Sequence, residues 1–380
     1  MTIKTTQNNF NAVSSILYVA FEMGSKYWKL GFSIGFGQKT RHRTIAAGDL
    51  DQLKLEIESA RKRFRLPEKC KIYSCYEAGR DGFWLHRFLT VAGVKNSVVD
   101  SASIEVNRRK RRAKSDRLDA ESLVKLLMRS MYENKVWSVV RVPFVEDEDR
   151  RQLPREFATL VKERTRQRNR IRSLLALHGI RIKGKLDLSD PKLESMTTWD
   201  RKPLPPVLKR RLTREWARLE FISEQIKSVQ NDRDEEVKDS HSANQQVEQL
   251  VKLRSLGDVT ADCLVKEVFG WRSFNNGKQV GCLTGLVPTS YQSGESNREQ
   301  GISKAGITHV RRVAIDLAWN WLRFQPKSKL SLWYNSRFGP GGKKARKVGI
   351  VALARKLLIS LWRYLTTGEI PEGAELKLAA

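Results

Sequence analysis

A chain of 380 residues with 40% hydrophobic and 8% aromatic content can build one large core or two to three ordinary ones, which excludes a disordered tail. Its 71 lysines and arginines against 42 acids leave a formal net charge of +29, a self-repulsion that binding to a polyanion offsets. Nucleic acid is the leading partner. A membrane surface is the weaker alternative, because there is no compact basic amphipathic anchor and the apolar stretch VGIVALARKLLISLW is broken by Arg355 and Lys356.

The opening MTIKTTQNNFNAVSS lacks the apolar core of a secretory signal. Residues 15–22, SILYVAFE, are an apolar run ending on a carboxylate, and after the turn-like MGSK comes YWKLGFSI, so a β-hairpin is expected. A third strand is expected around Thr44. The segment DLDQLKLEIESARKRF has helical spacing at Leu50, Leu53 and Ile57. KIYSCYE reads as a buried-type strand that ends on Glu77. A helix through FWLHRFLTVAG, a strand at NSVVD and an acidic helix, DRLDAESLVKLLMRS, follow. Three strands, helix, strand, helix, strand, helix is the order of an α/β ribonuclease H-like domain. The four cysteines, Cys70, Cys75, Cys263 and Cys282, have neither disulfide nor zinc-finger spacing and read as free thiols.

From Arg150 to about Ile180 the chain is helical and very basic. Beyond a loop with Asp190-Pro191 and KPLPP, a second helix carries Leu212, Trp216, Leu219, Ile222, Ile226 and Val229. Intervals of three and four form a coiled-coil seam, which pairs either within the chain as an antiparallel hairpin or between subunits. The mostly helical remainder begins with LVKLRSLGDVTADCLVKEVFGW, which has the look of a helix-hairpin-helix element. There Gly257 would let backbone amides approach a phosphate. The expected domains are 1–145, 146–245 and 246–380.

Glu22, Glu77, Asp116 and Asp119 fall on the first strand, the fourth strand and the last helix of the N-terminal unit, which converge at one sheet edge in a ribonuclease H-like domain. Asp116 and Asp119, at i and i+3, share a helix face. Alone, an Asp-x-x-Asp near a helix start is usually a cap. In this order, behind Arg108, Arg109, Lys110, Arg111 and Arg112, the four read as a site for two Mg²⁺ ions, with Mn²⁺ as an alternative. Farther on, GLVPTSYQSGESNREQGISKAG is expected to be a loop. Ser293, before Gly294, is its candidate nucleophile for phosphorus, with Ser290 and Ser303 as alternatives. The bland reading is that Ser and Gly simply make loops.

KSDRLDAESL, LRSLGDVTA, GLVPTSYQSG, GISKAG and HVRRVAIDLAW, in that order, give the chain its resemblance to the DEDD-type transposases of the insertion sequence 110 family. The resemblance covers nearly the whole chain. It implies a RuvC-like N-terminal domain, a coiled coil and a C-terminal domain with a serine nucleophile. It also implies donor and target DNA as substrates, a noncoding bridge RNA as guide, and a cytoplasmic, nucleoid-associated homo-oligomer (dimer or tetramer) joined through the coiled coil. Glu77, Asp116 and Asp119 take the second to fourth acidic positions and Ser293 the nucleophile. Glu22 departs from the family's usual aspartate. The active site so implied is composite, with the acidic domain of one subunit meeting the serine domain of another. Gly257, Lys304, Arg311, Arg312, Lys343 and Lys344, with the basic run at 108–112, are the expected nucleic-acid contacts. Two other readings remain open: a hydrolytic RuvC-like nuclease and a noncatalytic nucleic-acid scaffold.

Overall fold

The computed structural model describes residues 16–80, 82–104, 116–237, 242–293 and 296–377; the side chains at 116–118, 237, 242–243, 290–293 and 296–300 lie outside the description. The chain divides into two compact units, Met1–Val142 and Pro143–Ala380.

In the first unit the apolar runs become β1 (Ile16–Met23), β2 (Tyr27–Ser33), β3 (Arg41–Ala46), β4 (Lys71–Glu77) and β5 (Lys95–Val99). They form one sheet in the order β3-β2-β1-β4-β5. The first three strands are antiparallel neighbours, while β4 runs parallel to β1 and β5 parallel to β4. Parallel neighbours need crossovers, and the two helices between them supply these: α1 (Leu50–Arg63), capped by Asp49 accepting from the Gln52 amide at 2.9 Å, and α2 (Trp84–Val91).

Side chains alternate across a strand, and both faces of β1 are covered. Leu17, Val19 and Phe21 pack with Leu53, Leu85 and Leu89 of α1 and α2. Tyr18 and Ala20 pack with Cys75 and with Leu123, Val124 and Leu127 of α3 (Asp116–Arg129). Two covered faces explain why SILYVAFE reads as a continuous apolar run and not as an alternation.

The second unit opens with the short α4 (Val145–Arg150) and the long α5 (Gln152–Ala176). After a loop bearing α6 (Asp190–Ser195), α7 (Pro206–Val237) returns. Gln167 of α5 bonds Glu215 of α7, and Arg150 pairs with Glu236, so the two long helices run antiparallel as a hairpin arm. The predicted seam is spent inside the chain: Leu212, Leu219, Ile226 and Val229 are all buried, with Ile171 and Leu175 of α5 packed against the first two. Of the two pairings open in the sequence, the structure adopts the intrachain one.

The described remainder is mostly helical, with a β-hairpin: α8 (Ser242–Val251), α9 (Asp258–Leu264) continued by a π-helical turn over Val265–Phe269, α10 (Gly277–Leu283), β6 (Pro288–Ser293), β7 (Ser296–Ile302), α11 (Thr308–Phe324), α12 (Lys329–Phe338) and α13 (Lys343–Thr367). Its core gathers Leu264, Val268, Trp321, Leu353, Leu357 and Leu361. Among the described residues no helix is long and apolar enough to cross a membrane. All four cysteines are free thiols.

A carboxylate edge and a serine hairpin as the candidate functional site

Glu22 and Glu77 stand at the C-terminal ends of neighbouring parallel strands. The register pairs Ile16 with Lys71 and continues to Phe21 with Tyr76, so Glu22 and Glu77 come level one step further on. Because Tyr18, Ala20, Tyr73 and Cys75 face α3, strand alternation puts Glu22 and Glu77 on that same face.

α3 runs toward them with its N-terminus leading. Its C-terminal end lies where β1 begins: the Tyr132 ring, just past the helix, is 6.4 Å from Phe36 in the β2–β3 loop, and Tyr132 hydrogen-bonds Tyr18 near the start of β1. Burial pushes the Tyr18 phenol up to about 12, with the Tyr132 phenol adding to the effect, so Tyr18 stays neutral and structural. Midway, Gly31 of β2, the partner of Ala20, leaves room for the helix. A Cβ there would lie 2.9 Å from Val124 Cγ2 and 3.3 Å from the Ala120 carbonyl oxygen. From Ala120 back to Asp116 is one helical turn, about 6 Å of rise. From Ala20 forward to Glu22 is two strand residues, about 7 Å. The first turn of α3, from Asp116 to the half-buried Asp119, thus comes level with the two strand-end glutamates.

Among the described residues, no three carboxylate, imidazole or thiolate side chains form a group that could hold a metal; the Asp116 side chain lies outside them. The donors brought to this edge are all carboxylates, the ligand type of hard Mg²⁺ or Mn²⁺. The basic run Arg108 to Arg112 lies outside the described residues.

Ser293 closes β6 opposite Ser296 of β7; residues 294 and 295 between them lie outside the description. The expected loop is therefore a β-hairpin over much of its length, a correction to the sequence reading. Ser290 lies within β6 opposite Glu299, and Ser303 directly follows β7. The hairpin base is tied by backbone bonds: Ser303 donates to Val287, Lys304 to Gly285 and Ile307 to Leu283, at 2.9, 3.2 and 3.0 Å. Gly285 and Gly306 have φ of +64° and +91°, and a Cβ on either would run into the carbonyl oxygen of Ala305 or Leu283.

Arg311, expected as a phosphate contact, donates instead to the Thr284 carbonyl at 3.2 Å and to Thr308 Oγ1 at 3.2 Å, so it helps shape the hairpin base. Lys304, Arg312, Lys343 and Lys344 are exposed, and Gly257 caps α9 with open space where its Cβ would be. Lys304 holds a left-handed φ of +56°, a conformation that glycine adopts without strain.

Sequence reading missed the joint at the base of the arm. The π-helical turn carries Lys266 and Glu267, both buried. Lys266 Nζ meets Asp262 at 2.9 Å and Glu236 at 2.5 Å, while Glu267 takes Arg155 at 2.5 Å and Arg151 at 3.1 Å. Burial works against the Glu267 charge, yet the two arginines hold its pKa below the ordinary carboxylate value. Beside it the Cys263 thiol lies 3.2 Å from His309 Nε2. Burial raises the thiol to about 12 and lowers the imidazole, so both stay neutral at pH 7. The only sequence signal for this joint was a helix, DCLVKEVF, whose charges fall among apolar neighbours.

Residues 247–332 match the family described as Transposase IS116/IS110/IS902. Over 379 residues the chain is 39% identical to "Putative transposase y4rJ" of Sinorhizobium fredii, covering 95% of this chain and 94% of that one. It is 27% identical to the transposase for insertion sequence element IS1328 of Yersinia enterocolitica, over 68% of this chain and 73% of that protein. To the transposase for insertion sequence element IS1111A of Coxiella burnetii it is 28% identical, over 67% and 68%.

Proposed function

The chain belongs to the IS116/IS110/IS902 family of insertion-sequence transposases, and from that premise we propose that it cuts and rejoins donor and target DNA through a covalent phosphoserine at Ser293, with a bridge RNA as guide. The observation that carries the reading is the level register of Glu22 and Glu77 beside the first turn of α3, in a sheet ordered β3-β2-β1-β4-β5. That strand order suits a RuvC-like domain.

In this reading Glu22, Glu77, Asp116 and Asp119 hold two Mg²⁺ ions, which supply charge neutralisation at the phosphate and favour the ionised hydroxyl. Ser293 Oγ attacks phosphorus and gives its proton to solvent. An O–P bond forms to serine, and the bond to one DNA oxygen breaks, that oxygen taking a proton from solvent and leaving as a hydroxyl. Attack by the hydroxyl of a second DNA end reverses the exchange, so the bond energy is kept for rejoining. The exposed cations Lys304, Arg312, Lys343 and Lys344 grip backbone phosphates. Subunits assemble as a homo-oligomer, so that the acidic unit of one copy serves the serine of another. Since Leu212, Leu219, Ile226 and Val229 of the seam are buried within the chain, such assembly uses the outer faces of the arm, where Phe221 is 61% exposed.

The test incubates full-length protein, Mg²⁺, guide RNA and labelled donor DNA and looks for DNA covalently bound to protein in denaturing gels. An adduct that disappears in both Ser293→Ala and Asp116→Asn is the expected result. Free cleaved ends without an adduct would replace this reading with a hydrolytic nuclease. Tight binding without any cleavage would replace it with a scaffold.

A further inference from the structure

The two sides of the arm treat charge differently. On one, the buried Glu215 takes Gln167 Nε2 at 2.6 Å and is ringed by Arg170 and Arg218 at 3.4 Å and Arg211 at 3.9 Å. Those cations are spoken for. On the other side a cavity of about 490 Å³ lies between α5, α7 and the loop at Leu186. Arg164, Arg168, Lys185 and Lys227 line it, and among the described residues no side chain of these four joins an ion pair or a hydrogen bond. Arg170 stands two residues, about 200° around the helix, from Arg168, so the paired and unpaired sets occupy opposite flanks of α5.

Further features make the cavity more than a charged furrow. The half-buried Trp216 indole forms part of its wall. Arg172 Nη2 holds the Gly184 carbonyl at 2.9 Å, fixing the loop that brings Lys185. Ser223 spends its hydroxyl proton on the Leu219 carbonyl at 2.7 Å, so toward the cavity it offers only lone pairs. Glu220 and Glu224 on the same wall are acceptors as well. A ligand that fits must therefore carry an anion for four cations, a flat ring for the indole, and hydroxyl or N–H donors for three acceptors.

We propose that this groove binds one unpaired ribonucleotide splayed from a looped or single-stranded RNA. The phosphate lies among Arg164, Arg168, Lys185 and Lys227, the base lies against Trp216, and the 2′-hydroxyl and base N–H groups meet Ser223, Glu220 and Glu224. The volume is that of a small-molecule pocket and suits one splayed nucleotide, not a double helix. Extruded bases stacked on aromatic or guanidinium planes are how proteins read single-stranded RNA. The deoxy form lacks the 2′-OH donor. The inference rests on the guide-RNA part of the function proposed above, but it is read by binding alone, so failure of the serine reaction leaves it testable.

The experiment uses full-length protein and three labelled probes: a short single-stranded RNA, its DNA counterpart and the RNA duplex. Arg168→Ala/Lys227→Ala is expected to weaken the single-stranded RNA about 10-fold or more while moving the duplex within about twofold. The exposed Lys185→Ala, remote from the helix packing, shifts affinity in the same direction by a smaller factor. Arg211→Ala/Arg218→Ala removes equal charge from the other flank and is expected to leave the single strand within about twofold. RNA carrying 5-iodouridine crosslinks to Trp216. Equal weakening of single strand and duplex, equal effects from the two flanks, or crosslinks that avoid Trp216 would each overturn the groove as a nucleotide site. DNA bound as tightly as RNA would overturn its ribose selectivity.

Discussion

Glu22 and Glu77 end strands that are buried on both faces within a five-stranded sheet, whereas Ser293 ends a strand that pairs with β7 in a two-stranded sheet. The carboxylates inherit their level from the register of a large core; shifting it would expose Leu17, Val19 and Phe21. The serine inherits its place from a few backbone bonds at the hairpin base and from two glycines that allow the chains to cross there. One half of the proposed site is therefore guarded by hydrophobic burial, the other by local geometry. Small changes should damage the second more readily than the first.

The sharpest way to break that contrast is at Gly285 or Gly306. Gly306→Ala sets a Cβ against the Leu283 carbonyl at a left-handed φ and is expected to cost on the order of 3 kcal/mol or more, read as a lowered urea midpoint and faster amide exchange over residues 283–307. The matching change in the first unit is Gly31→Ala. Its Cβ has ordinary backbone freedom but presses on Val124 and the Ala120 carbonyl, so it should cost about 1–2 kcal/mol by overpacking. Its more telling effect is to lift the first turn of α3 off the sheet. Mg²⁺-dependent adduct formation then falls while DNA binding is retained; a variant with full activity would show that the carboxylate level is not set by this contact.

A smaller effect concerns pH. The folded pKa of His309 is lowered, chiefly by burial, and that of Glu267 is lowered because its arginines outweigh burial. A depressed group contributes stability above its unfolded pKa and loses it as pH falls. The second unit should therefore weaken as pH drops below about 6.5, and again on the acid side of about 4.3 as Glu267 begins to take up a proton. His309→Asn should flatten the first step and leave the second. The first unit carries a histidine of its own, His86, whose pKa burial also lowers, so exchange protection in β5 and β4, which it reaches through Asn96 and Ser74, should weaken in the same sense below about 6.5.

The order of elements in the first unit was legible because covered strands read as apolar runs and α1 and α3 show helical spacing. The carboxylates were legible for the same reason, each standing where an apolar run stops or a helix starts. β6 and β7 were not. PTSYQS and SNREQGI show no apolar alternation, and what makes them strands is closure between residues some twenty positions apart. Arg311 looked like any arginine of a basic protein until Thr284 was folded beside it.

The sequence by itself determined the excess of positive charge, the helix-strand order of the first unit, the three-and-four apolar spacing of the arm and the family motifs. Each of these is written in local spacing or composition. Tertiary structure decided the rest: that the seam closes within the chain, that Glu22 and Glu77 stand level on the α3 face, that Arg170, Arg211 and Arg218 are spent on Glu215, and that Arg164, Arg168, Lys185 and Lys227 line a groove without a counter-ion among the described residues. A period of three and four gives every helix a face but names no partner for it, and a guanidinium carries the same charge whether its counter-ion is a buried glutamate or a phosphate yet to arrive.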